Sequence, residues 1–354
     1  MTGDPQASVV VRSRAAAYLA LVFGLAAAVV LLWFLYKVAT AVLLLFFALV
    51  VTIALSAPVR WLMRRGLSRK LAAVVSFALF LGTVITISAL VIPRLASQIV
   101  VLVNRLPEFV VRLNEQVSAL FVRYPELQTV ISSDAAALGG VVPSPANLFR
   151  GGLGVSLSLL AFVALLVVFL SFVLYALLDP LPILRGYLGS LPVEHRRQGA
   201  RAFARASRAV IGWTKASLIL GVIEATAVFI FLTLMDVPGA LVWAALAFFA
   251  EFIPRIGGYV MAAPPIVISL TLGPMTAVWV AVFYLVSNEI LGNVVAPRIR
   301  GTAMQLHPVL LLFFTLAFAL AFGVLGAIVA TPAAAFFSAY YGEFYLKRPP
   351  ARRA

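Results

Sequence analysis

The sequence predicts an all-α polytopic membrane protein. It has about six full spans plus two Gly/Pro-broken helical hairpins, with an inverted repeat in the C-terminal half. Three observations predict this. Of 354 residues, 64% are hydrophobic and 11% charged, against about 45–50% and about 25% in soluble domains. The apolar residues fall in blocks of about 20, the length a helix needs to cross roughly 30 Å of hydrocarbon. The net charge of +15 sits in short basic clusters between those blocks, as the positive-inside rule expects. That distribution points to membrane lipid as a partner and not to nucleic acid. With no cysteine, disulfide and thiolate chemistry are excluded.

A polar tail (1–14) precedes two apolar blocks, 15–36 and 38–57, separated by Lys37. One helix of that extent would be about twice the hydrocarbon thickness, so two spans with a tight reversal are expected. The first block exceeds the apolar length of a cleavable signal. A basic loop (Arg60, Arg64, Arg65, Arg69, Lys70) leads to a third span, 71–92, stopping at Pro93. Residues 1–92 thus hold spans one to three. Residues 93–154 form an extracytoplasmic amphipathic segment. Pro107 opens a helix there, with Phe109, Val110, Leu113, Val117, Leu120 and Phe121 at helical spacing. Residues 155–209 carry a fourth span, ending at Asp179-Pro180, and the most basic loop. Residues 210–346 form two span-plus-hairpin units: spans 210–234 and 274–296, hairpins 240–272 and 308–345. Residues 347–354 are a basic tail.

With both termini in the cytoplasm, the inside segments hold 20 of the 27 Lys and Arg. The count closes only if each C-terminal hairpin enters and returns to one side. The two units then have opposite orientation. Each hairpin has a Gly at its tip and a Pro six residues later: Gly258 to Pro264, and Gly326 to Pro332. Each preceding span carries one glutamate, Glu224 or Glu289. Inverted repeats with Gly/Pro-interrupted helices are typical of secondary transporters, whose sites lie at the repeat interface.

An ionisable side chain within a span costs about 2.5–3.5 kcal/mol on insertion scales, so each needs a reason. Glu251, Pro254 and Arg255, with Asn288 and Asn293, are the candidate substrate or gate residues. Glu251 and Arg255 stand four apart, a spacing that pairs charges on one helix face. Pro254 between them frees backbone carbonyls. Glu224 and Glu289 are the candidate coupling-ion carriers, because a carboxylate in hydrocarbon takes up a proton or a cation. Gly257, Gly258, Gly323 and Gly326 are the hinge or hairpin-tip positions. His307, beside Pro308, is a proton-sensitive candidate. A salt bridge at the hairpin tip, or hydrogen bonds between helices, would account for the same residues structurally. No P-loop, H-E-x-x-H or G-x-S-x-G motif is present and there are two histidines, so an enzyme, a metal site and a cofactor are not expected.

The segments Pro58-Val-Arg-Trp-Leu-Met-Arg-Arg-Gly66, Phe252-Ile-Pro-Arg-Ile-Gly257, Pro297-Arg-Ile-Arg-Gly301 with Leu306-His-Pro308, and Phe322-Gly-Val-Leu-Gly326 with Pro332 resemble the bacterial autoinducer-2 exporter family. The order and spacing match from about residue 15 to 345. The resemblance implies a multi-pass inner-membrane protein, a homo-oligomer of five chains, and export or antiport without ATP. Its members carry autoinducer-2 in some cases and sodium and protons in others. Arg255 departs from the aromatic residue common after Phe-Ile-Pro. A cation there favours an anionic or polyhydroxylated ligand, or a pair with Glu251. The reading is therefore a secondary transporter exporting a small polar metabolite. The alternatives are a cation/proton antiporter and a non-transporting scaffold.

Overall fold

A computed structural model describes the backbone of residues 5–123, 155–253, 256–300 and 308–346, all of it helix, turn or connecting coil. Ten α-helices follow in order: α1 (Pro5–Arg64), α2 (Arg69–Arg123), α3 (Val155–Leu178), α4 (Leu181–Gly189), α5 (Arg196–Leu234), α6 (Ala240–Ala250), α7 (Gly257–Ser269), α8 (Pro274–Ile290), α9 (Ala296–Arg300) and α10 (Pro308–Tyr341). Among the described residues, five stretches are long and apolar enough to cross a membrane: Leu21–Arg64, Arg69–Gln98, Val193–Leu234, Pro274–Ile299 and Val309–Phe344. A sixth is formed if α3 and α4, bent by 90° at Asp179-Pro180, count as one. The chain separates into two units, Met1–Ala48 and Leu49–Ala354.

Within the first unit, the expected reversal at Lys37 is absent: residues 36–40 are helical. The sequence Tyr36-Lys-Val-Ala-Thr40 contains no Gly, Pro, Asn or Asp to turn the chain. The Lys37 ammonium instead lies 5.9 Å from the Trp33 ring centroid, one turn back on the same helix. A single charge in an apolar run thus marks a snorkelling side chain and not a boundary. The expected stop at Pro93 is also absent, since α2 continues through Pro93 and Pro107 to Arg123. Proline removes one helical hydrogen bond, but in apolar surroundings every further unpaired backbone group is costly, which favours resuming the helix at once. Residues 124–154 lie outside the described residues.

The second unit is organised around α5. Its buried positions Ala202, Ala206, Val210, Trp213, Ser217, Leu220, Glu224, Val228 and Leu232 recur every three or four residues, one face of a helix. α6 and α10 both pack on this helix, and α7 packs on α6 and α8. Gly221 lets the backbone of α6 approach: a side-chain carbon there would stand 2.8 Å from the Phe248 carbonyl. Between these helices a core forms from Val228, Leu232, Trp243, Ala247, Val280 and Tyr284, with Phe231 and Phe283 stacked 4.1 Å apart.

Two breaks interrupt the C-terminal helices. Gly257 starts α7 with its Cα against the Ala250 carbonyl at the end of α6. In α10, Gly323 leaves helical geometry at φ 65°, ψ −150°, a conformation open to glycine. The bend is sharp enough to set Gly326 against the Phe318 carbonyl, eight residues earlier. In a straight helix those positions would be about 12 Å apart.

Where α10 ends, the chain is tied to the start of α5. Glu343, in a π-helical turn (Gly342–Leu346), lies 3.4 Å from Arg201 Nε and 3.5 Å from Arg205 Nη1. Gln198 Nε2 donates to the Glu343 and Phe344 carbonyls at 3.2 and 3.4 Å. Tyr187 donates to the Gly199 carbonyl and meets the Tyr340 hydroxyl at 2.9 Å. Burial and that neighbour raise the Tyr187 phenol above its ordinary range. The Glu343 side chain is 7% exposed, whereas Arg201 and Arg205 are 68% and 43% exposed. The tie is therefore asymmetric. Glu343→Gln leaves two solvated arginines and should cost about 1 kcal/mol or less. Arg201→Ala with Arg205→Ala removes both cations from beside a buried carboxylate and should cost more than the Glu343→Gln change. Thermal unfolding of the purified variants checks the order, with the double arginine variant expected to melt lower.

Candidate functional site

Polar residues from α6, α7 and α8 converge beside a defect in the last of these. After Ile290 the ladder widens into a π-helical turn, Leu291–Val295, before α9 resumes. Such turns displace a side chain from its regular helical position and occur often at functional sites. A recess of about 60 Å³ lies here, lined by Glu251, Gly258, Tyr259, Asn288, Glu289, Gly292 and Asn293 among others. A water needs about 10–15 Å³, so the recess has room for a few waters, an ion or part of a small solute.

Glu289 is the hub. Tyr259 Oη donates to its Oε1 at 2.6 Å, and Asn293 Nδ2 donates to its Oε2. Both carboxylate oxygens are thus engaged, one by α7 and one by the π turn, and Glu289 is exposed. Asn288 lines the recess beside it. Its Oδ1 occupies the space a side chain would take at Gly258, while its Nδ2 is buried with no hydrogen-bond partner. Donor and acceptor groups on two interrupted helices can bind hydroxyl groups or a cation without rearranging the backbone.

A second polar group lies on a different face of α8. Glu224, 1% exposed, accepts from Ser287 Oγ at 2.8 Å through Oε2. Its Oε1 has no hydrogen-bond partner, and neither does the buried Tyr284 hydroxyl. Above it opens an apolar groove of about 440 Å³, walled by Ile223, Phe231, Trp279, Phe283, Val286 and Ile290. A buried carboxyl with one unsatisfied oxygen and an adjacent hydroxyl suits reversible binding of a proton or small cation.

The structure brings five of the expected site residues together: Glu251, Gly258, Asn288, Glu289 and Asn293. Glu224 occupies the separate Ser287 site. Gly257 closes the α6–α7 break. Gly323 and Gly326 shape the α10 bend and do not line the recess. Pro254, Arg255 and His307 lie outside the described residues, and with Arg255 the expected pair to Glu251. The expected clean span over 274–296 is interrupted by the π turn. Tyr259, Ser287, Tyr284 and that turn carry no signal in the sequence. A tyrosine or serine in an apolar helix is unremarkable by type, and only Gly292-Asn293 hints at irregularity.

Five or six apolar helical stretches among the described residues, with polar groups gathered beside the α6–α7 break and the π turn, define a multi-pass membrane protein. The chain belongs to the AI-2E transporter family, whose profile matches residues 21–345. A protein of Mycobacterium tuberculosis (strain CDC 1551 / Oshkosh), provisionally named a transport protein, is 28% identical over 344 residues, covering 95% of this chain and 91% of its own. YhhT of Escherichia coli (strain K12), named in the same provisional way, is 29% identical over 80% of this chain and 79% of its own. The AI-2 transport protein TqsA of the same strain is 31% identical over 142 residues, 40% of this chain and 40% of its own. A role in membrane transport follows from the family.

Proposed function

We propose that this protein is a secondary transporter that exports a small polar metabolite, of the autoinducer-2 kind, across the bacterial inner membrane. The observation that carries the reading is Glu289, held by Tyr259 and Asn293 at the π turn. Such a carboxylate offers acceptors for the hydroxyl groups of a polyhydroxylated solute, and Asn288 adds an unpaired donor. Glu251 shares the recess and acts on the cargo or gates it, together with Pro254 and Arg255. Glu224 carries the coupling ion. The units 210–272 and 274–346 act as an inverted repeat, each with a re-entrant hairpin. Solute efflux from proteoliposomes tests this. Glu289→Gln should lower the rate about 10- to 100-fold, the loss expected for hydrogen bonds to a charged group. Tyr259→Phe should lower it by less. Unchanged efflux in Glu289→Gln removes the site assignment.

A cation/proton antiporter is the second reading, favoured by the unpartnered Oε1 of Glu224. It predicts sodium-driven proton movement in vesicles holding no metabolite.

In this proposal the basic loops 60–70 and 185–208 and the C-terminal tail face the cytoplasm. The cytoplasmic placement of the N-terminus loses one support, because the reversal at Lys37 is absent. A reporter fused after Ala354 should report the cytoplasmic side. The assembly is a homopentamer, as the resemblance implies, and native mass spectrometry should find five chains of 37.9 kDa each.

A further inference from the structure

We propose that the recess at the elbow between α3 and α4 binds one anionic phospholipid. The recess measures about 270 Å³. Its floor is apolar, built from Leu49, Ile53, Ala176, Leu177, Leu184 and Phe203, and Arg60 and Arg69 stand on its lining. Arg60 Nη1 donates to Ser56 Oγ at 3.1 Å, which steers the guanidinium. Among the described residues neither arginine forms a salt bridge, and no carboxylate lines the recess. Two uncompensated guanidiniums next to an apolar floor match a ligand with a negative head and a hydrocarbon tail.

The position fits the same occupant. α1 ends and α2 begins at this point, and α4 turns 90° away from α3. Trp61, with Arg65 4.7 Å from its ring centroid, stands beside Arg60 in sequence. Aromatic and basic side chains of this kind collect at the headgroup level of a bilayer. A soluble anion would leave the apolar floor uncovered. A zwitterionic lipid would bring its own cation toward the arginines. The anionic phospholipid satisfies both surfaces, with its phosphate between Arg60 and Arg69 and the start of one acyl chain in the recess.

The test titrates the purified full chain in detergent with phosphatidylglycerol or phosphatidylcholine and counts bound lipid by native mass spectrometry. Phosphatidylglycerol should bind about tenfold or more tightly than phosphatidylcholine. Arg60→Gln with Arg69→Gln should weaken phosphatidylglycerol about 30-fold, as two lost charge contacts predict, and leave phosphatidylcholine unchanged. Arg60→Lys with Arg69→Lys should retain most of the binding. Arg64→Gln with Arg65→Gln removes equal charge outside the recess and should have little effect. Equal phosphatidylglycerol binding in the Arg60/Arg69 glutamine variant overturns the proposal, as does an equal loss in the Arg64/Arg65 control. Should the glutamine variant aggregate, the wild-type protein decides. A phosphatidylglycerol preference that persists in millimolar inorganic phosphate supports a lipid site. No preference, or full displacement by phosphate, contradicts it.

Discussion

Glu224→Gln is expected to assemble normally and to lose ion-coupled transport. The amide keeps the size of the carboxyl and still offers an oxygen to Ser287 Oγ, the contact now at 2.8 Å. It cannot bind and release a proton. Transport driven by a pH gradient should fall to the background of empty vesicles, while solute equilibration without a gradient persists. Glu224→Ala is the contrasting variant. It removes a side chain that is 1% exposed and deprives Ser287 of its acceptor, so it should lower thermal stability by about 2–4 kcal/mol, as large-to-small core changes do. Coupling lost in both variants, with stability lost only in the second, separates the role of the proton from that of packing. Retained coupling in Glu224→Gln would assign the coupling ion elsewhere.

Gly257→Ala is expected to damage the fold more than an alanine at most other glycines. The added carbon would collide with the Ala250 carbonyl, a backbone atom with no rotamer to escape through. Overpacking of this kind costs about 1–3 kcal/mol or more. The α6–α7 junction would spread and pull Gly258 and Tyr259 from the recess, so transport should fall together with the melting temperature. Gly326→Ala should behave alike, through the Phe318 carbonyl. Gly323→Ala meets open space but would have to hold φ 65°, ψ −150°, a region essentially confined to glycine, at a strain of about 1–3 kcal/mol. Gly24→Ala, with nothing within 4 Å, is the neutral control.

Much of this architecture was legible because hydrocarbon makes polar residues conspicuous. Glu251, Asn288, Glu289 and Asn293 stood out in apolar stretches, and four residues from two sequence regions proved to share one recess. Tyr259 was invisible because aromatic residues form the background of such helices. The π turn has no composition of its own to mark it; Leu291 in it and Ala296 just after it pack with Leu220 of α5. The errors have one origin. Lys37 and Pro93 were read as boundaries by residue type, whereas the helix continued because nothing near Lys37 favours a turn and an unpaired backbone is costly in an apolar setting. Gly257 and Gly326 were picked out as hairpin tips, and both stand where another stretch of backbone comes close.

The central claim is that Glu289 handles a polar solute and Glu224 handles the coupling ion. Its most direct test measures proton movement and solute efflux together in proteoliposomes of the wild type, Glu224→Gln and Glu289→Gln. The account predicts that autoinducer-2 efflux moves protons in the wild type. Glu289→Gln should lose both signals, and Glu224→Gln should lose the proton signal alone while solute still equilibrates. Sodium-driven proton movement without any solute, equal in the wild type and Glu289→Gln, would contradict it.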